Sequence, residues 1–270
     1  MFSPQLVWLI AVLGISLGSV SFSVQARDSL QILPTRLVLD GETSADLTLL
    51  NKGDESGNYR ILLRNIRASD DGKFEEATEA MDDELFADKF IRYSPRSITV
   101  EENSNQKVRL VVRKPRNLPP GEYRTHMVFQ SLPKEVASTV ESSQDVRVSV
   151  DPIIEISIPI IIRNGELDAS VSLGDLEITE DNNLNVQIQR QGNRSLYGSV
   201  EAVIDSGSAK GIQAGFAKGI SVYVPNAVRN FLLPLTLPNG FDKSRDKLLV
   251  RFSEDPSYGG DKSAELTLNP

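Results

Sequence analysis

The segment "VRVSVDPIIEISIPIIIR", residues 146–163, has an apolar side chain or a proline at every even-numbered position. Side chains on a β-strand alternate between its two faces, so this spacing predicts one long strand with a single apolar face. Ordinary strands have about five or six residues, and part of this strand should therefore extend past the core of its own domain. Pro152 and Pro159 lack a backbone N–H, which places the strand at a sheet edge or a bulge on at least one side.

The rest of the chain shows the same alternation in shorter runs. Segments such as "ADLTLLN", "QKVRLVV" and "KLLVRFS" are separated by Asp-Gly, Asn-Lys-Gly, Pro-Pro-Gly and similar turn residues. About seven such strands precede residue 164 and a similar set follows, which predicts an all-β protein with two β-sandwich domains in series. We place the domains at 27–164 and 165–270, and we expect Gly192-Asn193 to form the turn of a hairpin.

The first 26 residues contain no charged side chain and include an apolar run from Leu6 to Leu17. Val24-Gln25-Ala26 then supplies small residues at the spacing of a cleavage site, so residues 1–26 are predicted to be a secretory signal peptide removed before Arg27. The alternative is an uncleaved membrane anchor, although the apolar run is shorter than the roughly 20 residues of a spanning helix.

Composition excludes several classes of function. The chain has no cysteine, which removes disulfides, thiolate metal sites and a lipidated cysteine anchor. The net charge is −8 and no basic stripe is present, so nucleic acid is not an expected partner. No run after the signal reaches membrane-spanning length, so the mature chain is not expected to be embedded in a membrane.

Catalytic signals are weak. The single histidine, His126, lies in the strand-like segment "YRTHMVF", where a histidine is more often a surface or packing residue than a catalytic base. No nucleophile elbow, phosphate-binding loop or paired-histidine motif occurs. We therefore predict a protein that is not an enzyme, with no cofactor and no metal site.

Two irregular segments interrupt the strands. Residues 69–90 are acidic and are interpreted as a short helix or a surface loop, since they do not match the ligand spacing of a calcium loop. Residues 134–145 are polar and rich in serine, and are interpreted as a long loop leading into the quoted strand.

A long apolar strand at a sheet edge is a template for another chain. A partner strand that pairs with it gains main-chain hydrogen bonds, while the alternating side chains fill a groove in that partner. Ile154, Ile156, Ile158 and Ile160 are the side chains predicted to fill such a groove.

Two stretches resemble a known family. "LQILPTRLVLDGETSADLTLLNKGDESGNYRILL" is similar to the opening strands of the PapD-like periplasmic pilus and fimbrial chaperones, with a Pro-Thr-Arg strand followed by a strand ending in Asn. "YSPRSITVEENSNQKVRLVVRKPRNLPPGEYRTHMVFQSLP" resembles the later strands of their first domain. Together these segments cover most of residues 30–163, and beyond residue 166 the similarity concerns architecture alone.

The resemblance implies two immunoglobulin-like domains and a periplasmic chaperone of pilus or fimbrial subunits, with an outer-membrane usher as the expected receiver. It also implies donor-strand complementation, in which a strand of the chaperone completes the subunit. It assigns Arg36 as an anchor for the carboxyl terminus of the client subunit, and the family's second anchor, a lysine, falls on Pro159. Glu122 and Arg163 match a pair that forms an interdomain ion pair in the family.

Two other interpretations stay open on the sequence alone. A structural adhesin or surface-fibre component could be built of the same two sandwiches, with the long strand internal. A sandwich-fold enzyme or sugar binder is the third, although aromatic residues make up only 6% of the chain and offer few stacking platforms.

Overall fold

The computed structural model of the chain describes residues 30–133, 152–206 and 210–270. Regular structure in these ranges is almost entirely β-strand, which confirms the predicted all-β class. The predicted signal peptide, residues 1–26, and the predicted loop 134–145 lie outside the described residues. No described helix has the length and apolar character needed to cross a membrane.

The first half of the chain forms a two-sheet sandwich. Its strands are β1 (Leu30–Leu33), β2 (Leu37–Asp40), β3 (Ser44–Asn51), β4 (Gly57–Arg64), β5 (Ile66–Ala68), β6 (Phe74–Glu76), β7 (Ile91–Ser94), β8 (Ser97–Val100), β9 (Asn105–Val112), β10 (Gly121–Ser131) and β11 (Glu155–Asn164). One sheet has the order β1-β3-β9-β7 and the other β2-β11-β10-β4-β8. These orders match the two sheets of an immunoglobulin-like sandwich.

Alternation along the strands builds the core of this sandwich. Odd-numbered residues of β10 and even-numbered residues of β11 point between the sheets, because the two strands pair antiparallel with Met127 opposite Ile158 and Phe129 opposite Ile156. The core also includes Leu47, Leu49, Ile61, Val108 and Leu110, all of which are buried.

The second half forms another two-sheet sandwich. Its strands are β12 (Ala169–Ile178), β13 (Asn183–Gly192), β14 (Leu196–Ile204), β15 (Gln213–Val222), β16 (Val228–Pro234), β17 (Leu248–Glu254) and β18 (Ser263–Leu268). The sheets have the orders β12-β13-β16 and β15-β14-β17-β18. A separate core fills this sandwich, with Leu184, Val186, Ile188, Val200, Val250 and Phe252 buried at its centre. The exact domain ranges stay a prediction.

The predicted hairpin at Gly192-Asn193 is wrong. The strands on either side of this turn, β13 and β14, belong to different sheets, so the turn carries the chain across the core. Gly192 has φ +103°, and a Cβ there would lie 2.3 Å from the Asp168 carbonyl oxygen. Alternation alone cannot distinguish a hairpin within one sheet from a connection between two sheets, because strands in both arrangements alternate buried and exposed side chains.

The acidic segment 69–90 contains more regular structure than predicted. It continues a two-stranded hairpin, β5–β6, and ends in a 3-10 turn at Asp88–Phe90. Arg67 on β5 pairs with Glu84, whose side chain is 3% exposed, so the segment is tied back to the first sandwich. The excursion is thus an ordered extension of the domain.

Candidate functional site

Strand β11 is paired on both edges over only part of its length. It pairs antiparallel with β10 from Glu155 to Asn164, whereas β2 pairs with its other edge, in parallel, only from Ile160 to Arg163. Among the described strands none covers that second edge between Glu155 and Pro159. The unpaired backbone groups of this stretch form a short template for an added strand.

The structure corrects the predicted row of isoleucines available to a partner. Ile158 and Ile160 are 3% and 0% exposed and belong to the core of the first sandwich, because the even-numbered face of β11 turns toward that core. Ile156 is half-buried against the same core, and Ile154 is 47% exposed. The accessible apolar segment therefore begins at Ile153–Ile154, and its continuation toward Val146 lies outside the described residues.

The start of β11 is held extended on its β10 side. Ser131 N donates to the Ile154 carbonyl oxygen over 2.8 Å, and Ile154 N donates to Ser131 Oγ over 2.8 Å. On the outer face Arg64 forms a two-point ion pair with Glu155, at 2.6 and 2.9 Å, and this partner lowers the pKa of the Glu155 carboxyl. The segment is thus fixed by one neighbour and unpaired on the opposite edge.

Arg36 lies between β1 and β2 and is 3% exposed. Its Nη1 donates to Tyr223 Oη over 3.0 Å and to Ser221 Oγ over 3.3 Å. The guanidinium carbon lies 4.4 Å from the ring centroid of Tyr197 and 5.1 Å from that of Tyr223. Every one of these partners belongs to the second sandwich, so Arg36 joins the two domains through stacking and hydrogen bonds.

A cleft of about 310 Å³ opens beside Arg36. The first sandwich lines it with the outward-facing residues Ser157 and Pro159, and the second sandwich with Tyr197 and Tyr223. The β5–β6 hairpin forms a third wall. The free edge of β11 ends in this cleft, since Ser157 and Pro159 belong to both.

His126 lies directly opposite Pro159 on the neighbouring strand. It is 3% exposed, and its Nδ1 has no hydrogen-bond partner among the described residues. Burial lowers the pKa of His126 to about 3, with further lowering by the positive charges of Arg124 and Arg36. The imidazole is therefore neutral at physiological pH and does not supply the positive charge that the family's lysine would place at Pro159.

The cleft region is rich in arginine and poor in carboxylate. Arg124 is buried, stacks on Tyr223 at 4.1 Å from the ring centroid, and leaves Nη1 without a partner. Burial lowers the pKa of Arg124. Arg36 Nε and Arg229 Nη1 are also buried and unpartnered, and none of the three guanidinium groups forms an ion pair with a described carboxylate. Asp71 attracts Arg229, and Glu122 and Glu84 attract Arg124, from beyond ion-pair distance. An anion entering the cleft would meet the positive charges of Arg36 and Arg229, which line it.

Glu122 and Arg163 lie together at the junction of the two sandwiches. Arg163 Nε is 3.4 Å from Glu122 Oε2, and both side chains are buried, at 8% and 2% exposure. Glu122 Oε1 accepts a hydrogen bond from Ser195 N of the second sandwich, and Arg163 Nη1 donates to the Tyr258 carbonyl oxygen. Both residues are on strands of the first sandwich and reach the second through these backbone contacts; a role in stiffening the junction stays a prediction.

Sequence reasoning missed Tyr197 and Tyr223, the residues that hold Arg36. Each had a usable signal, because in "SLYGSV" and "ISVYVP" the tyrosine alternates with the apolar residues and so falls on the face opposite the core. A tyrosine on that face offers an apolar ring and a hydroxyl for contacts outside its own core.

Within the described ranges no group of three or more His, Asp or Glu side chains is arranged to hold a metal ion. The cleft offers guanidinium, imidazole, hydroxyl and aromatic groups, a set suited to an anionic and partly apolar ligand.

No protein-family model and no curated protein matches the sequence. Solved structures that share similarity of fold include a structure of the Salmonella enterica SafA pilin in complex with the SafB chaperone, at 13% identity and a TM-score of 0.48, covering 92% of this chain and 99% of that chain. The Escherichia coli chaperone DraB is 15% identical with a TM-score of 0.47, covering 88% and 96%. The class 5 fimbriae chaperone CfaA is 14% identical with a TM-score of 0.47, covering 90% and 100%.

Proposed function

We propose that the chain is a periplasmic, non-enzymatic chaperone that stabilises pilus or fimbrial subunits by donor-strand complementation and delivers them to an outer-membrane usher. The single observation behind this proposal is the unpaired edge of β11 from Glu155 to Pro159, next to the exposed Ile153 and Ile154. A subunit that lacks its last strand has the matching defect, a groove with unpaired backbone on both sides.

The energetics favour main-chain pairing as the principal attraction. A fully buried isoleucine contributes about 2–3 kcal/mol, and Ile153 and Ile154 are already about half-buried, with 59% and 47% exposed. Each can therefore add only about 1–2 kcal/mol on binding. Residues before Pro152 would have to extend the contact, in keeping with the alternation of the sequence up to Val146.

Arg36 is proposed to bind the client's terminal carboxylate. Its guanidinium is planar and retains an unpartnered Nε, and no described carboxylate competes for it. Since Nη1 already binds Tyr223 and Ser221, the carboxylate would be added to an existing junction between the domains.

Site-specific photo-crosslinking in the periplasm tests the proposal. A photoreactive residue at Ile154 should capture a β-rich subunit with an incomplete immunoglobulin-like domain, which mass spectrometry can identify. The matched control is the same residue at Leu232, which is 57% exposed on the second sandwich and should capture no such subunit. Equal capture at both positions, or assembly of the chain itself into fibres, would contradict a chaperone role and favour the surface-fibre interpretation.

A further inference from the structure

We propose that Phe74 on the β5–β6 hairpin selects the client, by forming an apolar subsite for the side chain of the client's carboxyl-terminal residue. The inference rests on the proposed function and names the chemistry of the partner: a chain that ends in a free carboxylate and an apolar, ring-sized side chain.

Phe74 is exposed at an unusual place. Its side chain is 60% exposed, yet the ring lies 6.2 Å from the ring of His126 and 6.4 Å from that of Tyr223, at the wall of the 310 Å³ cleft. A phenylalanine held half in water beside a cavity gains free energy when a further apolar group covers it. His126 is neutral, so its ring adds no charge to the aromatic surface around Phe74.

The hairpin holds Phe74 in position through contacts with the second sandwich. Asn226 Nδ2 donates to the Ala68 carbonyl oxygen over 3.0 Å and to Asp70 Oδ1 over 2.9 Å, and Asn230 N donates to the Asp70 carbonyl oxygen over 2.7 Å. At Gly72 a Cβ would lie 1.4 Å from Arg229 Nη1, so the guanidinium packs flat against the turn. The end of β5 and the turn are thus held against the second sandwich, and Phe74 pairs with Ala68 across the hairpin.

Charge identifies the occupant. Arg36 and Arg229 line the cleft, each with a buried nitrogen that lacks an acceptor. Asp71 attracts Arg229, but its ion pair is with Lys73, and no described carboxylate forms an ion pair with Arg36 or Arg229. The partner should therefore bring an anionic group as well as an apolar one. The last residue of a protein has both within a few ångströms, and a cavity of about 310 Å³ can accommodate it.

Binding of short peptides to the full chain tests the inference. The probes are hexapeptides Gly-Ser-Gly-Ser-Gly-X with X as phenylalanine or aspartate, each with a free carboxylate or a carboxamide, and their dissociation constants are measured by ligand-observed NMR. The phenylalanine carboxylate should bind roughly fivefold to tenfold more tightly than the aspartate carboxylate. Phe74→Ser should reduce that preference to about twofold or less, and Phe74→Leu should keep part of it.

Phe216→Ser is the matched control, because Phe216 is also an exposed ring, at 47%, but lies on the second sandwich outside the cleft lining. It should leave the preference unchanged. Equal binding of the two carboxylate peptides, with the carboxamides weaker, would overturn the subsite alone and leave the Arg36 anchor standing. Carboxamides that bind as tightly as carboxylates would count against the anchor itself, and absence of saturable binding by every peptide would overturn the subsite.

Discussion

Acidification from pH 7 to pH 5 should destabilise the first sandwich through His126. The folded imidazole has its pKa lowered to about 3, by burial first and by the charges of Arg124 and Arg36 second, whereas an unfolded histidine titrates near about 6.5. Between these two values the unfolded chain binds a proton that the folded chain excludes, so stability falls as the pH falls below about 6.5 and continues to fall until about pH 3. Each pH unit in that window costs about 1.4 kcal/mol, which amounts to about 2 kcal/mol at pH 5.

Hydrogen exchange of the β10 amides in the full chain, corrected for the pH dependence of the intrinsic exchange rate, measures this loss of stability. His126→Gln keeps a polar side chain without a titrating ring. Between pH 7 and pH 5 the opening free energy of this variant should therefore fall by about 2 kcal/mol less than that of the wild-type protein. The lowered pKa of Glu155 confines its own contribution to more acidic conditions, since that stabilisation is lost only as the pH falls through the folded pKa. Parallel losses in the two proteins would mean that His126 is protonated in the fold, and would refute the argument.

Three further predictions separate the roles of neighbouring residues. Ile158→Ala should lower the free energy of unfolding, measured by urea titration, by about 2–5 kcal/mol because it opens a cavity in the core. Ile154→Ala should lower it by less than about 1 kcal/mol. Equal costs would contradict the assignment of Ile158 to the core and of Ile154 to the accessible segment of β11. Gly72→Ala should destabilise the hairpin by more than the roughly 1 kcal/mol that a side chain costs at a positive φ, because the added Cβ would also clash with Arg229. The loss should be detected as faster proteolysis of segment 66–76. Gly41→Ala is the control, since Gly41 has φ +105° and nothing lies within 4 Å of the added Cβ. Arg36→Ala should leave both sandwiches folded but widen the distribution of distances between them in small-angle X-ray scattering, and an unchanged profile would show that the stacked guanidinium does not hold the domains.

The sequence predicted the class of fold well, because alternation is a local property of each strand. It could not predict how much of β11 is free, since that depends on β2, a strand more than 110 residues earlier that pairs only from Ile160 onward. The contacts of Arg36 were equally hidden: its hydrogen-bond partner Tyr223 is 187 residues away in the other sandwich. Pro159 did carry the relevant information, because the residue without an N–H stands just before the stretch that is paired on both edges.

The free edge and the cleft share one end, and this fixes the direction of an added strand under the proposed function. Ser157 and Pro159 line the cleft together with Arg36, which immediately precedes β2. A client strand lying along Glu155–Pro159 would be collinear with β2, with one of its ends at Arg36. If it ran antiparallel to β11, its carboxyl end would lie beside Glu155, away from Arg36, and the guanidinium groups of the cleft would gain no anion. The client strand should therefore run parallel to β11, as β2 does, with its terminal carboxylate in the cleft and the rest of its length directed toward Ile154.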